Sequence, residues 1–192
     1  MTLQNIYSVG ETGIGVVRDD PAKMAYVEAA VIADGTPGAV MIGDAGGMAC
    51  KKAIHAAAPV WQGGDSGEAE LLASCYESSL QAAVDNGIRT MAFPSISTGA
   101  SSYPAEEAAF IAVHAVIGFV AAHPGELAIV LWACEDERTR AAYQRALEQA
   151  ASEQDPEMHP GMMVVASELE VGKAMKEMFI GAEDDAPSEY LS

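Results

Sequence analysis

Positive charge is scarce in this sequence. Ten lysines and arginines stand against 28 aspartates and glutamates, a formal net charge of −18 over 192 residues. Such a surface repels phosphate backbones and anionic lipid at long range, which argues against nucleic acid and membranes as partners. A small anionic ligand stays compatible, because backbone amides in a closed loop act locally. Cysteine is scarce as well. Cys50, Cys75 and Cys134 are widely spaced, odd in number and form no CxxC pair. Neither a zinc site nor a disulfide framework is expected, and no cofactor is called for. Long apolar runs are also missing. The longest, residues 108–122, is too short to span a bilayer and carries His114. The opening MTLQNIY has no basic segment followed by an apolar run, so no signal peptide is expected and the expected location is cytoplasmic. No internal repeat is visible.

Half of the residues are hydrophobic, and the length suits one domain with a sizeable core. The most informative stretch is TMAFPSISTGASSYP, residues 90–104. Residues 90–93 form a short apolar run suited to a buried strand. A small-residue loop with hydroxyls at Ser95, Ser97, Thr98, Ser101 and Ser102 follows, with Gly99 inside it. Pro104 then opens an apolar helix with Glu106 and Glu107 in its first turn. Loop amides and the first helical N–H groups have no intrahelical partner, and the helix dipole favours negative charge there. Gly99 lets the backbone approach a ligand without a side chain in the way. The chemistry points to an anion site, most simply for phosphate. The competing reading is a plain turn, in which Ser97 and Thr98 satisfy backbone amides.

Along the chain, a first strand is expected over residues 2–9 and a flexible turn region over 10–15. A helix is expected over 21–33, because Pro21 follows two aspartates. Strands are expected at 39–42 and 52–57. The clearest helix covers 68–86, with Leu72, Cys75, Tyr76, Ser79, Leu80 and Ala83 at helical spacing and Gly87 as the stop. A helix over 104–122 should be buried on more than one side. Residues 127–134, LAIVLWAC, suit a strand buried on both faces, and 135–152 return to helix. A further strand is expected at 162–166 and a last helix at 167–179, opened by the capping pattern of Ser167 and Glu170. The alternation argues an α/β fold, three layers α/β/α around a central mixed, largely parallel sheet. One domain is expected over 1–180, followed by an acidic, disordered tail over 181–192.

Four stretches then resemble the macrodomain family, the ADP-ribose-binding module. They are AIHAAAPVW with the following Gly63–Gly64 pair, ELLASCYESSL, and NGIRTMAFPSISTGASSYPAEEAAFIA; the last strand and helix are similar in style. The resemblance covers about residues 38–147, leaving 1–37 divergent. It implies binding of ADP-ribose or a related small nucleotide, with an ADP-ribosylated protein as a further partner. By position it implies that Ser97, Thr98, Gly99, Ala100, Ser101 and Ser102 form the phosphate loop, with Tyr103 at its end. Cys134 falls near where many members place an aromatic ring against adenine. Members that hydrolyse ADP-ribose esters share an asparagine-rich NAAN segment and a following glycine run, and neither stands here. The nearest stand-in is GETGIGVVRDD, with Gly13, Gly15 and Val16 replacing the glycines and Val17 at the acidic position of some hydrolases; Asp19 and Asp20 lie out of register. No group is thus evident to orient or deprotonate a water, and hydrolysis is expected at least ~100-fold slower than in an active relative. The alternative is a degenerate member kept as an interaction or scaffold module with an empty site.

Other conspicuous residues have plainer readings. His55 has the chemistry of a general base, yet spacing places no carboxylate beside it, so it reads as a structural histidine. Cys75 reads as a buried, inert thiol, and Cys50, which follows a Gly-Gly loop, as an exposed thiol with a reactive role as the minor alternative. Trp61 and Trp132 read as packing residues, and Met158, Met162, Met163, Met175 and Met178 as adaptable core fillers.

Overall fold

A computed structural model describes residues 3–34, 40–96, 102–152 and 162–165. They form eight strands and three α-helices. The strands are β1 (Leu3–Val9), β2 (Thr12–Val17), β3 (Ala29–Ile32), β4 (Met41–Asp44), β5 (Lys52–His55), β6 (Thr90–Pro94), β7 (Ile129–Ala133) and β8 (Met162–Val165). The helices are α1 (Glu68–Asp85), α2 (Ala105–Ala122) and α3 (Glu137–Ser152). One sheet has the order β4-β5-β3-β6-β7-β2-β1-β8. Its five central strands, β5, β3, β6, β7 and β2, run parallel. The antiparallel pairs β4–β5, β1–β2 and β1–β8 flank them. The expected α/β fold with a mixed, largely parallel sheet is therefore what the chain forms, with β6 and β7 as interior strands and α2 packed among its neighbours.

Alternation along each strand separates two cores. Val31, Ile54, Met91, Phe93, Val130 and Trp132 face the three helices. Ala30, Ala92, Ile129, Leu131 and Ala133 face the other way, where Met24, Val27 and Cys50 cover them. β7 is buried at every position, as its unbroken apolar run requires. α2 meets the minimum length and hydropathy for crossing a membrane, a little longer than the apolar run suggested. Here those apolar residues pack against α1, α3 and the sheet, with Val113, Val116 and Ala112 fully enclosed.

Two expectations are corrected. Residues 21–33 do not form a helix. Asp20 does cap Pro21, accepting from the Ala22 amide at 3.0 Å, but only a 3₁₀ turn (Pro21–Lys23) results. The chain then enters β3, where Ala29 and Val31 face one core and Ala30 the other. Burial on both faces overrides the helical propensity of alanine. Glu28 fixes the entry: its carboxylate accepts from the amides of Arg89 (2.8 Å) and Thr90 (3.2 Å). Residues 10–15 are not a flexible turn either. Only Gly10 and Glu11 turn, with Gly10 at φ +58° joining Val9 to its partner Thr12; Gly13 and Gly15 lie inside β2. The helix expected at 167–179 and the tail at 181–192 fall outside the described residues.

Candidate functional site

All five parallel strands point their carboxyl ends to one edge of the sheet, ending at Val17, Ile32, His55, Pro94 and Ala133. In open α/β sheets this edge is where loops gather into a crevice. β6 delivers the anion-loop candidate there. Ile96 is buried behind the strand. Ser97, Thr98, Gly99, Ala100 and Ser101 lie outside the described residues. The chain is picked up at Ser102, an exposed residue at φ +56°, a left-handed conformation that costs a non-glycine residue roughly 1–2 kcal/mol. Tyr103 follows and turns inward, 4% exposed. Pro104 caps α2, its carbonyl accepting from the Ala108 amide at 2.9 Å. A strand, a segment carrying the hydroxyls and a helix N-terminus thus follow one another as the sequence indicated.

Behind this junction the loop after β5 is tightly held. The rings of Trp61 and Tyr103 are 4.5 Å apart at 53°. Glu68, at the start of α1, is buried and turns its carboxylate back on the loop. It accepts from the amides of Gln62 (2.9 Å), Gly64 (3.1 Å) and Ser66 (2.7 Å). Its own amide and these three hold the Glu68 carboxyl below its usual range, against the opposing effect of burial. Trp61, Tyr103, Glu106, Glu107 and Phe110 line an open groove of about 350 Å³ beside it.

The remaining candidates separate. Gly13 and Gly15 pair with Ile129 and Leu131 within the sheet, and Val16 pairs with Trp132 one residue before the carboxyl end of β2 at Val17. Cys134 is at that edge, its amide donating to the Val17 carbonyl at 3.0 Å. Its thiol, however, is fully buried in the helix-side core, and burial pushes it up to about 12. It does not line a surface for an adenine ring. Cys50 is buried too, its thiol donating to the Lys52 carbonyl at 3.3 Å. Asp19 accepts from the Tyr26 hydroxyl and the Asp20 amide, both at 2.8 Å. Asp20 pairs with Lys23 at 3.0 Å, and that hydrogen bond, with the Ala22 amide, lowers its carboxyl. Both acids are engaged in shaping the turn after β2.

One pair escaped the sequence reading. His55, at the end of β5, has its Nδ1 2.8 Å from the Asp34 carboxylate, just beyond β3. The two are 21 residues apart, with no helical or hairpin spacing to announce them. The parallel register that sets Ile32 beside His55 brings them together.

Comparison with known proteins adds to this geometry. Residues 22–112 match the Macro domain family model, a match that begins before residue 38 and so takes in β3. The chain is 48% identical over 111 residues to the O-acetyl-ADP-ribose deacetylase of Klebsiella pneumoniae, covering 58% of this chain and 63% of that protein. It is 46% identical over 111 residues to the protein of the same name from Citrobacter koseri, covering 57% and 61%. The chain thus spans about three fifths of the length of these curated relatives. Among solved structures, the Oceanobacillus iheyensis macrodomain with ADP superposes with a TM-score of 0.73 at 21% identity, covering 79% of this chain and 99% of that one. The Trypanosoma brucei macrodomain in complex with ADP gives 0.62 at 22% identity, covering 70% and 68%. Sequence match, sheet order and the β6-to-α2 junction agree: residues 22–112 match the Macro domain, and the chain has the macrodomain fold.

Proposed function

We propose that this protein binds ADP-ribose or a related nucleotide diphosphate at the carboxyl edge of its parallel strands, with the diphosphate held by residues 97–102. The observation that carries this reading is the junction between β6 and α2. A buried strand enters a segment of small and hydroxyl residues, and a helix N-terminus with its unpaired amides follows. Support comes from the structural neighbours of Oceanobacillus iheyensis, described with ADP-ribose and with ADP. The names of the bacterial relatives extend the reading to deacetylation of O-acetyl-ADP-ribose, and hydrolysis of ADP-ribosyl esters is the related activity that the family resemblance implies. Slow turnover is the expectation, because the asparagine-rich segment and glycine run shared by ester-hydrolysing members do not stand in this sequence. An ADP-ribosylated protein is the corresponding macromolecular partner. The charge of −18 disfavours nucleic acid and anionic membranes. Three free cysteines suit a reducing compartment, in keeping with a cytoplasmic location.

The test is a calorimetric titration of ADP-ribose into wild type and Gly99→Val. Saturable binding by wild type and its strong loss in the variant are expected, because a branched side chain obstructs close approach of a phosphate to the backbone. Equal affinities would remove this loop from the site. No binding by wild type would favour a scaffold module with an empty site.

A further inference from the structure

We propose that His55 is the proton-transfer residue of this crevice and that Asp34 positions it, an assignment that rests on the ADP-ribose reading above. Three observations support it. The first is location. β3 lies between β5 and β6, with Ile32 level with His55 on one side and Ala30 level with Ala92 on the other. Asp34 lies two residues beyond the carboxyl end of β3 and His55 is the last residue of β5. The pair therefore shares the carboxyl edge of the sheet at which β6 ends at Pro94.

The second is orientation. A carboxylate 2.8 Å from Nδ1 accepts a hydrogen bond from Nδ1–H and fixes the ring, a tautomer that leaves the lone pair on Nε2. This is the arrangement in which an orienting acid prepares an imidazole for general-base work. Nε2 has no protein partner among the described residues. The His55 side chain is 33% exposed, enough for a reactant to reach it. Asp34 is the only charged group recorded in contact with the imidazole among the described residues; Met41 lies opposite on β4, and the Lys52–Asp44 pair closes the far end of β5.

The third is elimination along the same edge. Asp19 and Asp20 are held by Tyr26, Lys23 and backbone amides. Cys134 is enclosed, with a thiol far from ionised at neutral pH. Among the described residues at this edge, His55 is the imidazole that faces outward with a carboxylate already on its other nitrogen.

For an O-acetyl ester the step balances without a further reactant. A water oxygen attacks the acetyl carbonyl carbon and its proton passes to Nε2 of His55. The bond from that carbon to the ribose oxygen then breaks. The imidazolium returns the proton to the ribose oxygen, releasing ADP-ribose and acetic acid, which ionises in solution.

The experiment measures hydrolysis of O-acetyl-ADP-ribose across pH 5–9 and ADP-ribose binding by calorimetry. Wild type, His55→Gln and Asp34→Asn are compared, and thermal melts verify folding. His55→Gln is expected to lower kcat about 100-fold or more, within the range for a positioned acid–base group, and to change the shape of the pH–rate profile. Asp34→Asn is expected to lower kcat about 10–100-fold, as loss of an orienting partner does, with KM within threefold of wild type. Binding with equal kcat in wild type and His55→Gln, or binding with no turnover by wild type, overturns the assignment and leaves the binding reading standing. Absence of ADP-ribose binding by wild type overturns both.

Discussion

The indole of Trp61 and the phenol of Tyr103 meet at 4.5 Å, tying the loop after β5 to the chain emerging from residues 97–101. Gly64 permits the contact. Its φ is +94°, and a Cβ there would stand 2.9 Å from Cη2 of Trp61. Gly64→Ala is therefore expected to push the indole off Tyr103 while straining the backbone. An aromatic pair is worth about 0.5–1.5 kcal/mol beyond its buried area, so a lower Tm and weaker ADP-ribose binding should appear together. A variant that melts and binds like wild type would show that the pair does not hold the loop.

Glu68 predicts an acid-sensitive element. Its carboxyl is held below its usual range by its own amide and those of Gln62, Gly64 and Ser66. A depressed folded-state pKa means stabilisation that is present above the unfolded value and lost as pH falls through the folded one. Glu68→Gln should melt below wild type at pH 7. The gap should narrow as pH drops beneath the carboxylate range, because wild type then loses the same charge. Melting curves from pH 7 to pH 3 measure this; a gap that stays constant refutes it.

The cysteines should be silent. Burial raises the Cys75 thiol to about 11 and the Cys134 thiol to about 12, so few thiolates exist at pH 8. Cys50 is also enclosed. A disulfide-exchange reagent such as DTNB should leave all three unmodified in the native protein and titrate three thiols in denaturant. Rapid native labelling of any one would show that its cover opens readily.

Within the loop, Ser97→Ala should cost about 0.5–1.5 kcal/mol of ADP-ribose affinity, the worth of one neutral hydrogen bond, and so less than Gly99→Val. Residues 90–104 contain no lysine or arginine. Recognition by amides releases few counterions, and added salt screens the repulsion between the −18 chain and the ligand. Affinity should hold or rise slightly between low and moderate salt. A steep fall would mean that cations from elsewhere in the chain carry the binding.

Most of the architecture was readable because the residues that build it announce themselves locally. α1 shows its inward face as Leu72, Cys75, Tyr76 and Ser79, and β7 is apolar at every position. β3 was misread because its information is not local. Ala29 and Ala30 are good helix residues, and what makes them a strand is two cores, one on each side. β2 was misread because Gly13 and Gly15 look like turn residues, although β1 and β7 hydrogen-bond to both its edges. For the same reason His55 could be singled out but not paired. Its partner Asp34 arrives through the register between two parallel strands, which no spacing rule records.

The sheet order also sets a timetable for synthesis. β1 takes β2 on one edge and β8 on the other, with Val9 opposite Met162. β2 must in turn wait for β7, whose Ile129 pairs with Gly13. The hairpin of β1 and β2 therefore leaves the ribosome with both outer edges unmatched, and a lone hairpin is marginal in water. At about 5–20 residues per second, more than 100 residues must be added before β7 arrives, which takes roughly 6–23 s. During that interval, two open strand edges are available to any other nascent chain. Chaperone dependence of this protein should accordingly be greatest while the ribosome is still translating it.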